Sequence, residues 1–246
     1  MRQKKGDSAK LQVTHSLNFI WPIIYAAVSG TGLFKSYRSA AGFIYVPLCS
    51  LLNPVQDAKG KTQMRIDELW RLHVWLPDGN RGTKGFEPHM HNTNTISWIL
   101  AGDGENLSWN VERNADKENA SHTEYTVNFS DGKTSDVSYK PHQTESVVYA
   151  SSKYARAKIS HTEPLSRNMT YTVTRDQWHS SHVPPGAVFA TLFFFDGSPG
   201  YNEDAPILGP IHGEKNVQSK DPGDNAPEKI VNVVEDRRQK EQADEE

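Results

Sequence analysis

Two histidines one residue apart, His89 and His91, stand in "GFEPHMHNTNTISWILAGDGENLSW" (residues 85–109), just ahead of an apolar run. On a strand, residues i and i+2 project from one face, so the two imidazoles can converge on a single ion. Pro88 stiffens the approach to them. A second cluster, "QWHSSHVPPG" (residues 177–186), brings His179 and His182 to the mouth of another apolar run, "AVFATLFFF". Three imidazoles from two strands form a donor set for a divalent transition metal. His179 and His182 compete for the third place. The distance to the following strand favours His179, which leaves His182 to contact substrate or support the site. Glu87 offers a carboxylate two residues before His89, with Pro88 working against the geometry. His161, in "ISHTEP", reads as an ordinary surface histidine.

Such ligands need a rigid frame, and the sequence supplies strands. "RLHVWL" (residues 71–76) alternates strictly, with Arg71, His73 and Trp75 on one face and Leu72, Val74 and Leu76 on the other. If the first face is inward, His73 lines a pocket; if outward, it meets solvent. "TISWIL" and "NLSWNV" flank a Gly-Asp-Gly turn, and "EYTVNF" and "TSDVSY" flank "SDGK" as a hairpin. "SVVYA", "YARAKI", "NMTYTV" and "VFATLFFF" follow. Regular short strands of this kind predict a mainly β fold, a sandwich, barrel or jelly roll, over about residues 63–200. Residues 1–14 read as a flexible basic arm. Residues 15–60 read as apolar helices packed against the outside of the barrel, stopped by Asn53-Pro54. Residues 15–214 thus form one domain. Residues 215–246 are highly charged, with one short apolar cluster at 230–234, and read as a solvated, disordered tail.

Composition narrows the function. The net charge of −3 over 246 residues gives no electrostatic case for nucleic-acid binding. The lone cysteine, Cys49, permits no intramolecular disulfide and fits a reducing, cytoplasmic compartment. Four Asn-x-Ser/Thr sites (Asn106, Asn119, Asn128, Asn168) carry no meaning without secretion, and no compact signal core follows the basic start. Residues 17–34 are apolar but broken by Pro22, Gly30 and Gly32, which favours a buried helix over a membrane anchor. No phosphate loop, Cys-x-x-Cys, nucleophile elbow or His-Glu-x-x-His is present. A small-molecule substrate is the expected partner, and a homodimer remains open.

With these residues in view, the chain resembles the cupin superfamily between about residues 68 and 197. Gly82, the His89–His91 pair and Gly102 follow the first motif of that family. Tyr171, Trp178-His179 and the run from Ala190 follow the second motif of the cysteine-dioxygenase-like branch, which uses three histidines and no carboxylate. The family's glutamate position falls on Thr95. The branch's cross-linking cysteine is absent from Thr95-Ile96-Ser97. Its catalytic Tyr and His are absent from the last strand, which offers Phe194, Phe195 and Asp196. The resemblance implies a double-stranded β-helix holding Fe(II) on His89, His91 and His179, with Zn²⁺ or no metal as alternatives. It also implies that Arg71 anchors a substrate carboxylate and that Tyr171 donates a hydrogen bond or proton.

Three neutral imidazoles leave the ion its full double charge, which favours an anionic bidentate substrate. Trp75, Trp98, Trp109, Tyr171, Trp178, Phe193 and Phe195 would wall an apolar pocket for a substantial organic ligand. Three readings follow: an iron oxygenase acting on a small organic acid or natural-product intermediate, a redox-neutral isomerase or cyclase, and a non-catalytic small-molecule binder.

Overall fold

The alternation in residues 71–76 serves two faces at once. In the computed structural model, which describes residues 14–56, 60, 62–128, 145–200, 202, 205–213, 215–219 and 225–245, this strand is buried on both sides. Leu72 and Val74 are fully buried against helices, while His73 and Trp75 face the interior.

The fold is mainly β, in two antiparallel sheets. A helix, α1 (Thr14–Gly30), comes first. The first sheet holds β1 (Tyr37–Arg38), β2 (Ile44–Gln56), β3 (Thr62–Trp75), β4 (Asn94–Ala101), β8 (Thr170–Val173) and β10 (Phe189–Asp196), in the order β1-β2-β3-β10-β4-β8. The second holds β5 (Gly104–Arg113), β6 (His122–Asn128), β7 (Glu145–Leu165), β9 (His179–His182) and β11 (Ile207–Gly209), in the order β11-β6-β7-β5-β9. β12 (Lys215–Ser219) also pairs with β7, and the chain ends in α2 (Pro227–Ala243).

The second sheet curls until its two edges share a segment. His89 bridges His179 of β9 on one side and Ile207 of β11 on the other. Three separate clusters fill the molecule. One lies between the helices and the outer face of the first sheet, one between the sheets around Trp75, Ile99 and Phe189, and one inside the curl around Trp178 and Leu208.

Two expectations from the sequence are corrected here. Residues 15–60 are not helical throughout: after α1 the chain forms β1 and β2, the latter running through Pro47 and Pro54. Among the described residues, β2 pairs with β3 on one side and with only Tyr37 and Arg38 on the other, so prolines along its outer edge break no ladder. A register shift between Pro47 and Cys49 absorbs the first of them. Within the charged segment 215–246, Lys215–Ser219 form β12 and Pro227–Ala243 form α2. Ile230, Val231 and Val234 are fully buried at 1%, 0% and 0% exposure. Arg238 lies with them, its Nη1 donating to Leu100 O at 2.7 Å.

α1 is held to α2 by Trp21 Nε1 donating to Glu235 at 2.6 Å and Tyr25 donating to Asn232 at 2.7 Å. No helix among the described residues is long and apolar enough to cross a membrane. Of the expected arm at residues 1–14, Thr14 begins α1 and the rest lies outside the described residues, as does the second half of the "SDGK" hairpin. "SVVYA" and "YARAKI" merge into one long strand, β7.

Three glycines are set by close backbone approach. Gly102 has φ +80°, and a Cβ there would meet Val188 O at 1.9 Å. Gly42 and Gly82 lie back to back, each leaving no room for a side chain on the other's strand of backbone. Glu241 of α2 accepts the Gly102 N–H at 2.8 Å, so the terminal helix braces the β4–β5 turn.

Ile230→Ala should destabilise the protein by about 2–5 kcal/mol, a fall in Tm of roughly 5–15 °C. Thermal melting followed by circular dichroism checks this; a variant melting with the wild type would mean that α2 does not dock.

Candidate metal centre

Backbone pairing builds the centre. His89 N donates to His179 O at 2.9 Å, and His179 N donates to His89 O at 3.0 Å. Directly opposed residues of a hydrogen-bonded antiparallel pair present their side chains on one face, so the two rings lie together, centroids 4.6 Å apart. His91, two residues on, joins the same face, its ring 4.9 Å from that of His179. The ligand atoms of His89, His91 and His179 all lie within 4.8 Å of one another. These three residues, expected from the sequence, could hold a metal ion.

Hydrogen bonds fix which nitrogen each ring presents. His89 Nδ1 donates to Glu87 O at 2.9 Å. His179 Nδ1 donates to Asn106 Oδ1 at 3.1 Å. Asn106 is oriented in turn by its amide, which faces Glu163 at 3.5 Å. In both histidines the Nε2 lone pair is left for an ion, an arrangement that also raises ligand basicity. His91 Nε2 stands 2.9 Å from His179 Nε2.

Burial lowers the proton affinity of all three. For His91 and His179 the effect is large, with neighbouring imidazoles adding to it. For His89 the bond to Glu87 O partly opposes burial. The rings are therefore neutral, as metal ligation requires. What surface His89 and His91 keep opens onto the cavity.

That cavity measures about 80 Å³, and His73, Trp75, Tyr171, Ser181 and Phe193 line it beside the three histidines. Tyr171 is hydrogen-bonded to Ser97 and Ser181, and burial raises its pKa, so its hydroxyl keeps the proton. Arg71 sits on the inward face of β3 with its guanidinium 4.8 Å from the Tyr45 ring centroid. Its charge reaches His73 and His91, although it does not itself line the cavity. Thr95 is buried, its hydroxyl donating to Val173 O at 3.5 Å. Glu87 turns its carboxylate back to accept the Gly85 N–H at 2.9 Å, away from ligation.

His182 is corrected. It is exposed at the end of β9, because strand alternation points His179 and Ser181 into the cavity and turns His182 away. Of the seven aromatic candidates, Trp75, Tyr171 and Phe193 line the cavity. Trp98 stacks on Trp70 at 5.5 Å on the opposite face of the first sheet. Trp109 and Trp178 fill the curl of the second. His161 is exposed on β7, as expected.

Asn106, Phe43 and Phe86 belong to the site without having been singled out for it. A buried asparagine on a strand was the one signal for Asn106; the two phenylalanines sit on loops with no periodicity to mark them. A larger cleft of about 540 Å³ lies between α2 and the 184–188 loop, lined by both signs of charge and by no histidine.

No family model matches the chain, and no curated protein matches it. Among solved structures it is similar to a hypothetical protein from Leishmania major at 12% identity and a TM-score of 0.34, over 68% of this chain and 77% of that one. A likeness this shallow does not bear on function.

Each of His89→Ala, His91→Ala and His179→Ala should abolish stoichiometric binding of a divalent metal, read by elemental analysis after dialysis. Asn106→Ala should keep the ligands but weaken metal affinity by roughly 10–100-fold. A pH dependence also follows. A buried histidine with a depressed pKa makes the unfolded state bind more protons below its own pKa of about 6.5. The metal-free protein should therefore hold full stability above about pH 6.5 and lose it as pH falls below that value. Urea midpoints between pH 5 and 8 measure this; a flat profile would mean that these rings are not buried neutral.

Proposed function

We propose that this chain is a cupin-type enzyme, in which His89, His91 and His179 hold one divalent metal, iron(II), and dioxygen is added to a small organic acid. The observation that carries the reading is the convergence of three neutral imidazoles, His89, His91 and His179, whose ligand atoms lie within 4.8 Å of one another. These three residues would hold a first-row divalent ion by their ring nitrogens, and the choice of iron(II) rests on the resemblance to three-histidine cupins.

Three neutral ligands would leave a divalent ion its double positive charge, and such an ion would supply Lewis acidity toward an anionic ligand. The protein's own groups do the rest. Arg71 adds positive potential on the His91 side of the site. Tyr171, held by Ser97 and Ser181, offers a proton at its hydroxyl. Trp75 and Phe193 keep bulk water from the reacting centre. In a dioxygenation both oxygen atoms enter the product and the substrate supplies all four electrons, so no reductant is consumed. The cavity volume of about 80 Å³ supports a substrate of a few non-hydrogen atoms.

The test is reconstitution with Fe(II) under argon, followed by a panel of two- to four-carbon carboxylic, hydroxy and mercapto acids. Oxygen uptake equal to substrate loss is expected, with two labelled atoms in the product from ¹⁸O₂. Full turnover under strict anaerobiosis would replace this reading with a redox-neutral isomerase or cyclase.

A further inference from the structure

We propose that His73 reads the ligand at this centre, its Nε2 hydrogen-bonding the hydroxyl group of a small hydroxy acid whose carboxylate faces the metal. This rests on the metal-centre reading above and extends it to a substrate class.

His73 is 6% exposed and lines the cavity. Its Nε2 is buried and has no hydrogen-bond partner. A buried polar atom left unpaired costs about 1–3 kcal/mol, and any apolar ring could do the packing here. The ring is also fixed. It lies between Phe43 and Phe193, with centroids 4.3 Å and 4.5 Å away and planes inclined by 23° and 20°. The two stacked rings restrain tilting of the imidazole, and the cavity that His73 lines is where a ligand would meet the nitrogen.

The chemistry of the partner follows from the nitrogen. Burial and the nearby Arg71 charge keep the imidazole neutral. A neutral ring nitrogen is a donor in one tautomer and an acceptor in the other. A hydroxyl pairs with either, whereas a carboxylate pairs only with a donor. The carboxylate of the ligand belongs instead at the doubly charged ion. The cavity is small, about 80 Å³, so the proposed class is narrowed to compact hydroxy acids of two or three carbons, with Trp75 and Phe193 lining the wall beside them.

The experiment uses the full chain loaded with Co(II), whose visible bands report binding. Lactate, 3-hydroxypropionate and propionate are titrated into wild type, His73→Phe and His73→Gln. Wild type should bind at least one hydroxy acid roughly tenfold or more tightly than propionate. His73→Phe should keep one Co(II) per chain and its propionate affinity, and lose that preference. His73→Gln, which restores a polar atom, should recover part of it. Equal preference in wild type and His73→Phe, or no preference in wild type, overturns the proposal. Should His73→Phe not fold, His73→Leu takes its place under the same two criteria. A wild type that takes up no Co(II) overturns the metal-centre reading itself, and this inference falls with it.

Discussion

The reciprocal pair of backbone hydrogen bonds between His89 and His179 is the constraint on which the site depends. It joins residues far apart in sequence and sets both on one face of a ladder. The same short segment satisfies the other edge of the curled sheet: Met90 N donates to Pro206 O at 3.2 Å and Leu208 N to Pro88 O at 2.8 Å. Residues 88–90 thus act as a strand-like bridge between β9 and β11, which would otherwise be open edges. Two of the three ligands are placed by main-chain bonds that owe nothing to an ion. The donor set is preorganised, and metal affinity does not have to offset the ordering of a loop.

Rigidity elsewhere keeps this bridge in place. Arg81 is a clamp between two loops, donating to Leu76 O at 2.9 Å, Val183 O at 2.8 Å, Pro185 O at 2.8 Å and Ala187 O at 3.0 Å. The loop before the histidine pair is thereby tied to the loop that follows β9, the strand that carries His179. The first sheet forms the opposite wall, and it is flat against helices on its far side. Its central strands must be apolar outward for α1 and α2, and chemically mixed inward for the cavity. β3 meets both demands through simple alternation. Loss of α2 would expose the outer face of the strand that carries His73.

The parts legible in the sequence were those with a period. His89 and His91 at i and i+2, and the alternation of residues 71–76, describe faces, and faces survive folding. His179 was separable from His182 only by spacing, and the structure supplies the physical reason: the strand points alternate side chains to opposite sides, so one of the two had to leave. What failed lacked a unique local signature. A short apolar run such as "FIYVPL" suits a buried helix or a buried strand, and its prolines argued against both until β2 proved to have a free edge. α2 reads as solvated because most of its turns are charged. Its buried stripe, Ile230, Val231, Val234 and Arg238, is narrow and ends in an arginine that is buried only because Leu100 O receives it. Asn106 shows the same limit from the other side. Its role exists only in the relation of β5 to β9, which no stretch of sequence displays.

Charge accounting points to the sign of the ligand. The carboxylate of Glu87, the acid nearest the cavity, is already engaged by the Gly85 N–H. Arg81 has Asp78 at 4.0 Å and a set of carbonyls around it. The four histidines around the cavity are neutral, because each would have to hold a proton away from water. An ion in their midst would therefore bring two positive charges into a space where, among the described residues, no carboxylate joins the three histidines. In a low-dielectric cavity such a charge is costly unless an anion shares the site. The negative charge would then have to come from a ligand, and binding of a metal and of an anionic ligand would be mutually reinforcing.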